Sequence, residues 1–159
     1  MKPTNIPPYS PWCVQSFRKI SSGIYRMAHY KKDYDFGTQK QEELLPKLEE
    51  FFKDSLTPTT GRYDAYDYEG TTASYELKSR NNASTTYPTT CIGQDKVNPN
   101  HPKKQVYLFH FTDGTYYIPY DKELFDTFEV KPFLRWRDAW KTKAKDYLYI
   151  PVENLIPIQ

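Results

Sequence analysis

The sequence predicts one α/β (α+β) domain built on a mixed central sheet flanked by helices, and three observations carry that prediction. A helical pattern runs over residues 39–53, where Leu44, Leu45, Leu48, Phe51 and Phe52 recur at the spacing of one helix face. Two stretches rich in tyrosine and β-branched residues, 62–80 and 106–120, each hold turn residues near the middle and read as hairpins. The length, 159 residues and 18.9 kDa, lets a folded chain bury about 70% of what its unfolded form exposes, so a core forms without covalent staples.

Each element has a local reason. Pro3, Pro7 and Pro8 exclude a helix from the first ten residues, and residues 1–36 read as a basic, aromatic arm packed on a domain that spans 37–159. Thr38 or Asp35 can cap the helix expected after Gly37, and Pro46 predicts a kink or a broken first turn within it. On a helical projection Gln41 falls on the face of Leu45 and Leu48, with Glu42 at its border. The first hairpin pairs 62–68 with 73–80 across Gly70-Thr71-Thr72. Pro88 can open a short helix toward Lys96, and the proline-rich stretch 98–102 ends it. The strongest signal is the hairpin of 106–111 with 115–120 around Asp113-Gly114. A short helix capped by Asp121 over 121–128 and a last strand at 147–152 complete the chain.

Composition narrows the class. With 38% hydrophobic and 26% charged residues the chain is globular, and its mean hydropathy of −0.84 reflects 15 tyrosines that count as polar yet pack well. No apolar run approaches the roughly 20 residues of a membrane span, and the start lacks the apolar core of a signal peptide. The expectation is a soluble, cytoplasmic protein without a membrane partner. Cys13 and Cys91 are too few for a disulfide framework or a zinc site, which fits a reducing compartment. Net charge is only +2, but residues 1–32 hold six Lys or Arg and no acid, and 135–145 hold five against Asp138. Aromatics interleave both segments. Solvated helices with core aromatics and a phosphate-facing surface explain that pattern equally well.

Chemistry concentrates in the first hairpin. Glu76 and Lys78, two apart on a strand, leave the same face, with Leu77 pointing the other way. A loop at Gly70-Thr71 sets Asp67 diagonal to Glu76, and one at Thr71-Thr72 sets it directly opposite; either way both share a face. Asp64 takes that place only if a bulge intervenes. Two carboxylates ~4 Å apart repel by about 4 kcal/mol at an effective dielectric near 20, and a hard divalent cation reverses the sign. Asp67, Glu76 and the Leu77 carbonyl supply oxygen ligands suited to Mg²⁺, with Mn²⁺ able to substitute, and Lys78 can serve an attacking water. The bland alternative makes Glu76 and Lys78 a solvated face and Asp67 an ordinary surface charge.

The runs Arg62-Tyr63-Asp64-Ala65-Tyr66-Asp67-Tyr68-Glu69-Gly70 and Tyr75-Glu76-Leu77-Lys78-Ser79-Arg80 resemble the catalytic hairpin of the PD-(D/E)XK nuclease superfamily. The segments around Tyr87–Gly93 with Lys96, Phe109–Tyr117 and Tyr149–Val152 look similar to members encoded by large DNA viruses and phages. The resemblance implies a restriction-endonuclease-like core, αβββαβ, here with a C-terminal β-hairpin extension. It implies that Asp67 and Glu76 are metal ligands and Lys78 the catalytic lysine, with Glu42 or Gln41 matching an extra residue that some branches add from the preceding helix. In a viral setting the compartment is the host cytoplasm or nucleus. Two departures stand out: Tyr66 replaces the proline expected before the first aspartate, and only 54–60 remain for the first strand.

The function expected is hydrolysis of DNA phosphodiesters by water attack in an Mg²⁺-dependent endo- or exonuclease. Arg80, Lys96, Arg135, Arg137 and Lys141 are expected to track the nucleic-acid backbone, and a homodimer is compatible with the tyrosine-rich second hairpin. A catalytically silent nuclease fold that binds nucleic acid or a partner protein is the alternative. His29, His101 and His110 lack metal-ligand spacing, and Cys91 has no neighbouring base in sequence.

Overall fold

A computed structural model describes residues 23–61, 64–133 and 143–159, with side chains described from residue 31 onward. Helix α1 (Gly23–Phe52) leads to strands β1 (Thr57–Pro58), β2 (Tyr68–Glu69), β3 (Ala73–Ser79) and β4 (Thr89–Gly93). A 3-10 turn at Gln94–Lys96 precedes β5 (Lys104–Phe111) and β6 (Gly114–Pro119). Helix α2 (Lys122–Phe125), β7 (Glu129–Phe133), β8 (Lys145–Pro151) and β9 (Ile156–Ile158) follow. The fold is mixed α+β. None of the described helices is long and apolar enough to cross a membrane.

Six strands form one sheet in the order β1-β2-β3-β5-β6-β9, antiparallel throughout except for the parallel pair β3–β5. A second sheet runs β4-β8-β7, all antiparallel. Strand alternation divides the core. Ala73, Tyr75 and Leu77 of β3 and Val106 and Leu108 of β5 pack beneath Leu44 and Leu48 of α1. Tyr107, Phe109 and Phe111 of β5 turn the other way and meet Ile92, Leu148 and Ile150 of the second sheet. The six-stranded sheet is thus covered on both faces, which explains why β5 reads as an almost continuous apolar run. Proline interrupts the outer strands: Pro58 in β1, Pro157 in β9 and Pro132 in β7.

Several expectations need correction. Helix α1 is described from Gly23 and runs across the boundary drawn between residues 36 and 37, while residues 1–22 of the expected arm lie outside the described residues; the Thr38 hydroxyl donates to the Tyr34 carbonyl at 3.0 Å instead of capping. Gly37 costs such a helix about 1 kcal/mol, too little to stop it. The helix is not broken at Pro46 but continues through it; proline lacks the N–H that would bond the Glu42 carbonyl, and both residues are exposed. Residues 89–93, placed in a short helix by Pro88, form β4, because β-branched Thr89, Thr90 and Ile92 gain a ladder partner in β8. The first hairpin's leading arm, expected over 62–68, shortens to the two residues of β2.

Other elements stand as the sequence predicts. The second hairpin pairs Val106 with Pro119 through Phe111 with Gly114. Asp121 caps α2, its Oδ1 accepting from the Leu124 N–H at 3.0 Å. Leu48, fully buried between α1 and the sheet, tests the main core directly. Leu48→Ala is expected to lower unfolding free energy by about 2–5 kcal/mol in a urea titration.

Candidate active site

Strand β2 is short because its ladder with β3 slips at Asp67. Tyr68 is the ladder partner of Tyr75, yet the Asp67 N–H also donates to the Tyr75 carbonyl at 2.9 Å, so two residues face one in a bulge. The slip decides which side chains share a face. Tyr68 points to α1, where its hydroxyl donates to the Gln41 carbonyl at 2.6 Å. Tyr66 takes the opposite face, donating to Gln105 Oε1 at 2.6 Å. Parity alone had set Asp67 on the Glu76 face; the bulge turns it onto the edge of β3 instead.

At that edge the Asp67 carboxylate acts as the missing rung of the sheet. Its Oδ2 accepts the Leu77 N–H at 2.7 Å, and its Oδ1 accepts from the Gln41 amide nitrogen at 2.6 Å. A strand residue sends its N–H and C=O to the same side, so the Leu77 carbonyl leaves β3 toward this same edge. Glu76 lies on the neighbouring face, 3% exposed, with its Oε1 accepting from Lys78 and standing 3.7 Å from Lys96 Nζ. No described residue donates to Glu76 Oε2. A solvated Glu76–Lys78 face is therefore not what this hairpin presents.

Electrostatics confirm that the groups sense one another. Burial, then the Glu76 charge, push the Asp67 carboxyl up to about 6, against the pull of Lys78, the Leu77 N–H and Lys96. Burial, followed by Glu76 and Glu69, likewise raises the Tyr66 phenol to about 12. No family model, curated protein or solved structure matches the chain. The site must be judged on its own chemistry.

Of the residues singled out from sequence, Gln41, Asp67, Glu76, Leu77 and Lys78 come together here. Lys96, expected on a nucleic-acid track, reaches Glu76 from the 3-10 turn. Glu42 is exposed on α1, and Asp64, also exposed, accepts the Gly61 N–H at 2.6 Å, so neither joins the site. Arg80 is corrected most sharply. It is 3% exposed and donates to the Cys91 carbonyl at 2.6 Å and the Thr90 hydroxyl at 3.3 Å, because β4 covers the face it shares with Lys78. Arg135, Arg137 and Lys141 lie outside the described residues. His110 meets Thr115 Oγ1 through Nδ1 at 2.7 Å. Burial, then Lys40 and Lys47, hold its imidazole below the usual range.

Sequence reading missed Tyr66 and Gln105. Gln105 Oε1 accepts from Tyr66 and from the Asn98 N–H at 2.9 Å, while its amide donates to the Asn98 carbonyl at 2.6 Å. Tyr107 adds a bond to the Lys96 carbonyl at 2.8 Å. These bonds fasten the 94–98 loop and hence Lys96 over Glu76. The available signal was a polar residue at 105, in phase with Tyr107 and Phe109.

Among the described residues no group of three or more His, Cys, Asp or Glu is placed to hold a metal. The donor set fits a hard cation on another count: two carboxylates that keep unused lone pairs, with a main-chain carbonyl directed to the same edge.

The raised Asp67 carboxyl fixes the sign of a pH effect. Its folded value of about 6 exceeds its unfolded value, so the folded state holds the proton more tightly. Stability falls as pH rises from about 4 to 6, by on the order of 2–3 kcal/mol. Asp67→Asn keeps an acceptor for Leu77, and a flipped Gln41 can accept from its new amide. The variant should therefore lose this slope and exceed the wild type in stability at pH 7, measured by urea unfolding across that range.

Proposed function

We propose that this protein is a divalent-metal-dependent nuclease of the PD-(D/E)XK type, hydrolysing phosphodiester bonds of DNA by water attack. One observation carries the reading: a buried Glu76 with Lys78 on the same strand, beside Asp67 at the open edge of β3. The order α1, β1, β2, β3, then a crossover to parallel β5, is compatible with an αβββαβ core whose second helix has become β4 and a 3-10 turn.

Asp67, Glu76 and the Leu77 carbonyl are the residues that would hold Mg²⁺ or Mn²⁺. A divalent ion at such oxygens supplies polarisation of a phosphate oxygen and a more acidic water. The chain's own residues do the rest. Gln41 and the Leu77 N–H fix the Asp67 carboxylate in one orientation. Lys78, about a quarter exposed, orients the water through its ammonium and offsets charge on the phosphate as the water oxygen bonds to phosphorus and gives up its proton to solvent, and the ester oxygen leaves as an alcohol that takes its proton from solvent.

A second reading is favoured by one feature. Lys78 and Lys96 both face Glu76, so two ammonium groups already balance the two carboxylates. A catalytically silent module that binds nucleic acid or a partner protein would keep such a balanced cluster.

Cation binding separates the two. Mg²⁺ at a hundredfold excess over its Kd should stabilise the fold by about 2.7 kcal/mol, raising the Tm, and Glu76→Ala should abolish the rise. With Mn²⁺ the protein should cut plasmid DNA, EDTA should stop it, and Lys78→Ala should slow it by about 100-fold or more. A flat Tm with intact plasmid would leave the silent module as the surviving reading.

A further inference from the structure

An open cleft of about 840 Å³ is lined by Tyr66, the chain neighbour of Asp67, and by Lys96, which reaches Glu76 at 3.7 Å and so links the cleft to the carboxylates. Its size lies within the range of small-molecule pockets. Its walls are braced. The His101 ring lies against Tyr66 with centroids 4.8 Å apart and its Nε2 is 3.0 Å from the Ser74 hydroxyl. Tyr66 and the Asn98 backbone are in turn both bonded to the buried Gln105.

The lining is poorly suited to a run of phosphates. Among the described residues it presents the carboxylates of Asp64, Glu69 and Asp95 but a single ammonium, Lys96, which is already directed at Glu76. Lys103 and Lys145 pair with Glu69 and Asp95 without lining the cleft themselves. What remains is a wall of acceptors next to a fixed aromatic ring. That combination suits a flat heteroaromatic group bearing N–H donors, as carboxylates accept from the exocyclic amine of a base.

We infer that this cleft receives an unpaired nucleobase bearing an exocyclic amine, adenine, cytosine or guanine, from the nucleotide next to the phosphate that a divalent cation at Asp67 and Glu76 would hold. The inference rests on the nuclease reading for its choice of ligand, and it makes single-stranded or locally melted nucleic acid the substrate class. His101 supplies the stacking surface. The Asn98 side-chain amide nitrogen, bonded to no described residue, is a donor for the base edge. Lys96 stands between base and phosphate, so a bound nucleotide draws it from Glu76.

Binding is measured by fluorescence anisotropy with labelled oligonucleotides and Ca²⁺, and cleavage of the same strands with Mn²⁺. Single strands of dA or dC should bind about tenfold more tightly than dT strands or blunt duplex. His101→Ala should lose about tenfold, the size of one stacked base. His101→Phe, which keeps a ring, should retain the affinity, with circular dichroism showing both variants folded. Metal-dependent cleavage indifferent to strandedness, base and His101 overturns the cleft assignment and leaves the nuclease intact. Amine-selective, His101-dependent binding without cleavage supports the cleft and overturns hydrolysis. Absence of both binding and cleavage overturns both.

Discussion

The arrangement depends on one hydrogen bond, the Leu77 N–H donated to the Asp67 carboxylate. A strand partner would normally take that N–H, but the bulge ends β2 and the side chain replaces it. Three consequences follow. The edge of β3 stays open at Leu77, the carboxylate is fixed in the plane of the sheet, and its other oxygen is free to meet Gln41 of α1. Burying a charged group this way is costly, and the two hydrogen bonds offset only part of the cost, as the raised Asp67 carboxyl records.

Packing on both faces of the sheet explains the tyrosine-rich composition. Tyr66, Tyr68 and Tyr107 are buried, and each hydroxyl finds an acceptor at the end of an apolar ring: Gln105, the Gln41 carbonyl and the Lys96 carbonyl. They join α1, the hairpin and the crossover loop into one polar seam bordering the carboxylates. The core thereby sets the position of Lys96 as well as filling space.

Much of the framework was legible because its signals are local. The Leu44 and Leu48 spacing gives the face of α1, Asp121 gives the α2 cap, and the residues of β5 and β6 give their own pairing. The pairing of Glu76 with Lys78 was legible for the same reason, since two residues on one strand share a face whatever surrounds them. What failed depended on distant partners. Nothing near Thr89–Gly93 announces β8, more than fifty residues later, and without β8 the burial of Arg80 under β4 is invisible. The sequence admits a bulge in this arm but does not place it at Asp67, because a one-residue slip leaves no compositional trace, although it decides which side chain faces which way.

The prolines on the outer strands bear on how the molecule associates. Pro58 and Pro157 sit in the two flanking strands of the large sheet, and Pro132 in one flanking strand of the small one. Each deletes an amide donor from a margin where another chain might otherwise add its own backbone. Continuous sheet extension is thereby disfavoured on three margins, which steers any pairing of copies there toward side-chain contact.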